Sequence, residues 1–247
     1  MDLPVVDLPR TEYGKPFIPP TDDSDAPLFS VSHQFPFVGI CRILDANDIP
    51  QNLRLGMDIV MFDEINSRLY SSEMDFCRVF QRSFAPGEWS CIERAQYPLQ
   101  EFYLRWAIKE AYTKALGKGM SLKFDSFQTK LDVAACRYGW SLWDHLERPR
   151  TPSSQTNEEV HRLWGTISKV NSVDTTESER WLLMFIPLPS CGKNGYACIC
   201  FGPAENEKAL CETSLSRLDT TLSELIQFHV AARETEKNGT VTNDKCA

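Results

Sequence analysis

The stretch Leu99–Leu116, LQEFYLRWAIKEAYTKAL, reads as one long helix with apolar residues on most of its circumference. Pro98 marks its start and Gly117 suits its C-terminal cap. Phe102, Trp106, Ala107, Ala111, Ala115 and Leu116 leave little room for a wet face. At about 100° per residue, Tyr103, Ala107, Glu110 and Lys114 share one face, with the carboxylate and the ammonium a turn apart. On an exposed helix such a pair is an ordinary solvated contact worth a few tenths of a kcal/mol. On a helix buried on most sides, a charge needs a partner or a ligand. The rest of the chain is therefore read for a second carboxylate and for groups that bind phosphate.

Leu53–Met61, LRLGMDIVM, reads as a buried strand with one acid, Asp58, inside an apolar run. An unpaired buried carboxylate costs several kcal/mol, so Asp58 calls for a cation or hydrogen-bond donors. Mg²⁺ is one answer, because it takes oxygen ligands, commonly one or two carboxylates plus substrate phosphates. Asp58 and Glu110 would supply that pair if the fold brings them together.

Arg10-Thr11-Glu12-Tyr13-Gly14-Lys15-Pro16 ends in a Gly-Lys-Pro turn. It is either an ordinary surface loop or a bend that turns backbone amides and a lysine towards a phosphate or a base. In Phe29–Ile43, Phe29 and Val31 alternate with Ser30 and Ser32, as in a half-buried strand, with His33 and Gln34 at its end. Serine hydroxyls and an imidazole there are good donors for phosphate oxygens, although a lone histidine is more often structural.

Charge and cysteine usage narrow the function classes. A net charge of −8 argues against general nucleic-acid binding but leaves room for a local basic pocket. No apolar run reaches the ~18 residues of a membrane span, and MDLPVVDLPR has no secretory signal pattern. The nine cysteines include no C-x-x-C pair, so reduced thiols are expected, with Cys198 and Cys200 on one face of a strand.

Coarse periodicity places the remaining elements. Asp63–Phe84 reads as mainly helical, with Phe76, Val79, Phe80 and Phe84 inward and Arg78 and Arg82 on a basic edge. A short helix starts at Pro86, with Glu88 as half of a capping box that Ala85 cannot complete. Met120–Leu131 alternates like a strand, Trp140 and Trp143 are expected to pack, and 148–159 reads as a loop. Trp181–Pro187 and Gly195–Gly202 read as an antiparallel hairpin, and Leu215 to His229 as an amphipathic helix before a loose tail.

Taken in order, R-T-E-Y-G-K-P with S-V-S-H, then G-M-D, then W-A-I-K-E-A-Y-T-K resemble the Sfp-type 4′-phosphopantetheinyl transferases, and within them the aminoadipate-semialdehyde-dehydrogenase type. The last two elements match the family signature G-[IVM]-D and W-x-x-K-E-[AS]-x-x-K. The resemblance runs over roughly residues 8–202 and is weaker at 146–175 and in the C-terminal tail.

The resemblance implies an α+β fold with antiparallel sheets packed against helices in two pseudo-twofold-related halves. On that reading the first half is largely missing. Residues 1–45 are its remnant with coenzyme A-binding segments, 46–202 the catalytic half, and 203–247 a helical then disordered tail. The implied activity is transfer of 4′-phosphopantetheine from coenzyme A to a serine of an apo acyl or peptidyl carrier protein. It depends on Mg²⁺, releases adenosine 3′,5′-bisphosphate, and belongs to a cytosolic monomer without nucleic-acid or membrane partners.

Residue by residue, the resemblance makes Asp58 and Glu110 the Mg²⁺ ligands. Lys114 would neutralise charge on the phosphate under attack, and Glu110 would help remove the serine proton, directly or through water. Arg10, Gly14, Lys15 and Pro16, with Ser30, Val31, Ser32 and His33, would hold adenine, the 3′-phosphate and the pyrophosphate. Val60 stands where bacterial relatives often carry a third acid. Two other readings use the same residues: a non-catalytic remnant that grips carrier protein or coenzyme A, and a Mg²⁺-dependent phosphohydrolase of small nucleotides.

Overall fold

The computed structural model describes residues 8–20, 28–35, 37–43, 52–62, 65–132, 161–170, 178–188 and 195–203. All lie in the first of two compact units, Met1–Glu205 and Asn206–Ala247. The readings for Trp140, Trp143, the loop at 148–159 and the helix from Leu215 to His229 fall outside the described residues.

A two-stranded antiparallel sheet, β1 (Phe29–Gln34) and β2 (Phe37–Arg42), comes first. Then come β3 (Arg54–Met61), the short helices α1 (Glu73–Val79) and α2 (Pro86–Arg94), and the long helix α3 (Pro98–Leu116). The strands β4 (Phe127–Asp132), β5 (His161–Lys169), β6 (Glu179–Leu188) and β7 (Gly195–Gly202) complete an antiparallel sheet with β3, in the order β3-β7-β6-β5-β4. The expected hairpin is β6–β7. No described helix is long and apolar enough to cross a membrane.

Helix α3 lies between two apolar surfaces. Leu104, Ala107, Ile108, Ala111 and Ala115 pack on Phe127, Ile167, Trp181, Leu183, Phe185 and the face of β7 carrying Tyr196, Cys198 and Cys200. Its N-terminal half also packs Leu99 and Phe102 on Cys77, Phe84, Trp89 and Ile92 of the α1–α2 region. No residue from Leu99 to Leu116 is exposed, which is why this helix shows no polar stripe. Gly117 closes it in the left-handed conformation at φ 68°, and its N–H caps the carbonyls of Lys114 and Thr113.

Helix and strand touch most closely at Gly56. A Cβ there would stand 1.9 Å from the Ala111 carbonyl oxygen and 2.3 Å from the Ala115 amide nitrogen. Alternation along β3 puts Gly56, Asp58 and Val60 on the side facing α3.

The outer edge of β3 is closed by side chains rather than by another backbone. Ser30 Oγ accepts from the Met57 amide at 2.9 Å, Ser32 Oγ from Ile59 at 3.1 Å, and Gln34 Oε1 from Met61 at 3.1 Å. Every second residue of β1 thus meets the outward amide of every second residue of β3, period two against period two. This turns β1 over relative to a simple apolar-in pattern: Ser30 and Ser32 are buried, whereas Val31 and Ile40, paired across the hairpin, are exposed.

Two further expectations change. In the segment read as mainly helical, 63–84, the described residues form α1 and a single 3₁₀ turn at Gln81–Ser83, and Val79 is exposed. Met120–Leu131 is a strand only from Phe127; two 3₁₀ turns, Gly119–Ser121 and Phe124–Ser126, precede it. The basic edge is also partly neutralised, because Arg78 pairs with Asp75.

A buried charge network fixes α3 along its length. Lys109 Nζ donates to the carbonyls of Phe124 at 2.6 Å and Phe127 at 2.8 Å, and pairs with Glu88 at 2.8 Å. Those three contacts use all three ammonium donors. Glu88 also accepts from the Ala85 amide, the half capping box expected for α2, and from the Thr129 amide at the start of β4. Removing one member strands its partner in a nearly dry interior. Lys109→Met should therefore lower unfolding free energy by about 3–5 kcal/mol, measured by denaturant titration. Gly56→Ala should cost about 3 kcal/mol or more by forcing helix and strand apart, read from the same titration.

Candidate functional site

Three elements meet above the C-terminal half of α3. The first is the turn at 10–16. Thr11 N–H donates to the Lys15 carbonyl at 2.8 Å and Gly14 N–H to the Thr11 carbonyl at 2.9 Å, with Gly14 at φ 85°, a conformation that favours glycine. Arg10 Nη1 donates to the Gly14 carbonyl at 3.1 Å, so its guanidinium braces the turn. The turn rests beside Gly117 and Gly119, whose positive φ angles carry the chain away from the helix end. The other two elements are β1 and the part of β3 around Asp58.

Between them lie two cavities that share Val31 and Lys114. One, of about 220 Å³, is lined by Tyr13, Gly14, Lys15, Pro16, Phe29, Ser30, Val31, Lys114, Gly117 and Gly119. It has two lysines and no carboxylate among its lining residues. The other, of about 440 Å³, is lined by Val31, Ser32, His33, Gln34, Asp58, Ile59, Trp106, Glu110 and Lys114. Apart from Arg10, every expected site residue lines one cavity or the other.

Within the larger cavity Lys114 Nζ stands 2.7 Å from Asp58 Oδ1 and donates to Ser32 Oγ at 2.9 Å. The Ser32 hydroxyl donates to the same Asp58 oxygen at 2.9 Å. Ser32 was expected to face phosphate oxygens. Its one proton and two lone pairs are instead spent on Asp58, Lys114 and the Ile59 amide. Among the described residues, Ser30 Oγ accepts from the Met57 amide and has no acceptor for its own proton.

Glu110 lines the same cavity as Asp58, and its carboxyl is pushed above the usual range. Burial is the larger cause and the negative charge of Asp58 the second, with Lys114 pulling the other way. Two oxygen-donor side chains facing one polar space suit a hard divalent cation that keeps waters or phosphate oxygens as its remaining ligands. No third His, Cys, Asp or Glu joins them among the described residues. Asp58 and Glu110 are the two carboxylates among the residues that line this cavity.

Lys15 is the second cation. Its Nζ donates to the Leu55 carbonyl at 3.1 Å, and burial with the nearby charge of Arg54 brings its pKa down to about 8. Trp106 was not expected at the site, yet it stands one helical turn before Glu110 and walls the same cavity. Lys109, the first lysine of W-A-I-K-E, goes the other way into the sealed network with Glu88.

The folded chain holds Lys15 charged less readily than the unfolded chain does. Between the folded value near 8 and the ordinary 10.5, the unfolded chain binds more protons, so stability should rise with pH across that window. Lys15→Met should remove that rise in urea titrations at successive pH values. Below pH 8 the ammonium is present to meet an anion. Inorganic pyrophosphate should accordingly bind more weakly as pH goes from 7 to 9 in the wild type, and Lys15→Met should flatten that dependence in calorimetry.

Comparison with known proteins gives the geometry a context. Residues 54–139 match the 4'-phosphopantetheinyl transferase superfamily. The chain is 32% identical over 137 residues to the L-aminoadipate-semialdehyde dehydrogenase-phosphopantetheinyl transferase of Xenopus laevis, covering 53% of this chain and 42% of that protein. It is 33% identical over 123 residues to the 4'-phosphopantetheinyl transferase of Bacillus subtilis, covering 49% and 45%. With the human protein named as in Xenopus, identity is 33% over 138 residues, covering 51% and 41%. The chain thus spans less than half the length of these curated relatives.

Proposed function

We propose that this chain, whose residues 54–139 match the 4′-phosphopantetheinyl transferase superfamily, moves 4′-phosphopantetheine from coenzyme A to a carrier-protein serine. The observation that carries the reading is the pair of joined cavities: a lysine-lined one without acids beside one walled by Asp58, Glu110 and Lys114. An anionic donor and a divalent cation need these two chemistries side by side.

In the proposed reaction the serine oxygen forms a bond to the phosphorus that carries the pantetheine arm. The bond from that phosphorus to the bridging oxygen breaks, and adenosine 3′,5′-bisphosphate leaves. Asp58 and Glu110 would hold Mg²⁺, which when bound supplies charge neutralisation at the phosphate oxygens. Lys15 and Lys114 hold the anionic donor from the smaller cavity, Ser30 offers it a hydroxyl proton, and the turn at 10–16 encloses the nucleotide. Glu110 takes the serine proton, directly or through one water. Trp106 and Ile59 line the same cavity as that carboxylate. His33, on the cavity rim, adds a donor for a terminal phosphate.

Incubating the full chain with coenzyme A, Mg²⁺ and an apo carrier protein should add one phosphopantetheine to the carrier, read by intact-mass spectrometry. Carriers from a fatty-acid synthase, an aminoadipate reductase and a secondary-metabolite synthase serve as separate arms. Asp58→Asn and Glu110→Gln should each lower transfer by about 100-fold or more while leaving the thermal unfolding midpoint close to wild type. Lys114→Ala should act mainly on turnover. Carrier binding without any mass gain would favour the non-catalytic remnant. Phosphate release without a carrier would favour a phosphohydrolase.

A further inference from the structure

The contacts among Ser32, Asp58 and Lys114 form a closed set. Asp58 Oδ1 receives both the Lys114 ammonium at 2.7 Å and the Ser32 hydroxyl at 2.9 Å, and Ser32 Oγ receives the same ammonium at 2.9 Å. Ser32 is anchored by the Ile59 amide, so the triangle is tied to the backbone of β3 on one side and to α3 on the other. The carboxylate that would ligate a cation already holds one, and that cation is covalently part of the chain.

Physical chemistry gives the reason. A nearly buried carboxylate on an apolar strand is costly without a counter-charge. Glu110, on the same cavity wall, adds a second negative group that one ammonium does not offset. The Lys114 side chain is 29% exposed and lines both cavities, so swinging its long stem moves the charge from one cavity to the other without moving the helix.

We propose that Lys114 is a tethered stand-in for the divalent cation, held on Asp58 by Ser32 until the arriving ion displaces it into the anion-binding cavity. This rests on the reading of Asp58 and Glu110 as metal ligands. Two cations cannot share one carboxylate oxygen at close range without strong repulsion. Ion binding and the Lys114–Asp58 pair are therefore in competition. The exchange delivers the ammonium to the neighbouring cavity when the metal is seated, so loading of the ion prepares the grip on the anionic donor.

The test uses Mn²⁺ alone, titrated into the full chain without coenzyme A and followed by the paramagnetic resonance signal of the free ion. Lys114→Met removes the internal competitor and should bind Mn²⁺ about tenfold more tightly than wild type. Lys114→Arg keeps the charge in a fork that grips a carboxylate with two bonds, and should bind Mn²⁺ more weakly than wild type. A lysine that only completes the site predicts the opposite order, with Lys114→Met equal to wild type or weaker. That result, in a protein shown to be folded by circular dichroism, would overturn the stand-in and leave the metal site in place. If Lys114→Met does not fold, Lys114→Arg decides, and binding equal to or tighter than wild type overturns the proposal. Absence of Mn²⁺ binding in wild type and Lys114→Met alike would overturn both the stand-in and the metal site.

Discussion

The missing side chain of Gly56 sets the distance from which everything at the site follows. With only a hydrogen there, the α3 backbone at Ala111 and Ala115 lies directly on β3. Helix and strand then share a face on which Asp58 follows Gly56 by one alternation, and Glu110 and Lys114 flank the contact. Residues on the strand and the helix become partners across a gap that a single methyl group would widen. The small residues are matched: glycine on the strand meets alanines on the helix, and the charged groups emerge at the margin of that contact.

Helix α3 carries two motif lysines with opposite fates, and their neighbours decide which is which. Lys109 faces two backbone carbonyls and Glu88, so each of its three donors has an acceptor and the group is sealed. Lys114 faces one carboxylate and one hydroxyl on the wall of an open cavity. The first arrangement fixes the helix against α2 and the start of β4. It therefore sets the rotation at which Glu110 and Lys114 face the cavities. Burial lowers the pKa of Lys109 while the Glu88 charge acts to raise it, as expected for a cation kept indoors by one well-placed acid.

Much of this frame is legible in the sequence, and the exceptions have physical causes. The ends of α3 follow from Pro98 and Gly117, β3 from its apolar run, and the β6–β7 pairing from two strand-like runs around a turn-rich link. The same resemblance that named Asp58, Glu110 and Lys114 put the two acids around an ion and the lysine on a phosphate. In the structure Lys114 also pairs with Asp58, because a buried carboxylate takes the nearest cation. The inversion of β1 could not be read from alternation. Burying Ser30 and Ser32 breaks the apolar-in rule, and is favourable only because their oxygens land on the free amides of a strand distant in sequence. For Lys109, residue type alone gives no sign of whether a helix lysine is sealed or poised.

The distribution of charge separates the two cavities more firmly than their sizes do. The chain as a whole carries −8, a field that repels anions at a distance but is screened beyond about 8 Å at physiological ionic strength. What an anion meets on arrival is the local wall, and the smaller cavity presents lysines without an acid. There the Lys15 ammonium donates to the Leu55 carbonyl, a neutral acceptor that leaves its charge uncompensated, which is why burial shifts it down to about 8. In the larger cavity the balance reverses, with two carboxylates against one ammonium. Lys114 is the side chain that borders both. Its position, on Asp58 or released, therefore decides how much positive charge the smaller cavity offers. In the proposed exchange, cation affinity on one side and anion affinity on the other are coupled through a single flexible stem.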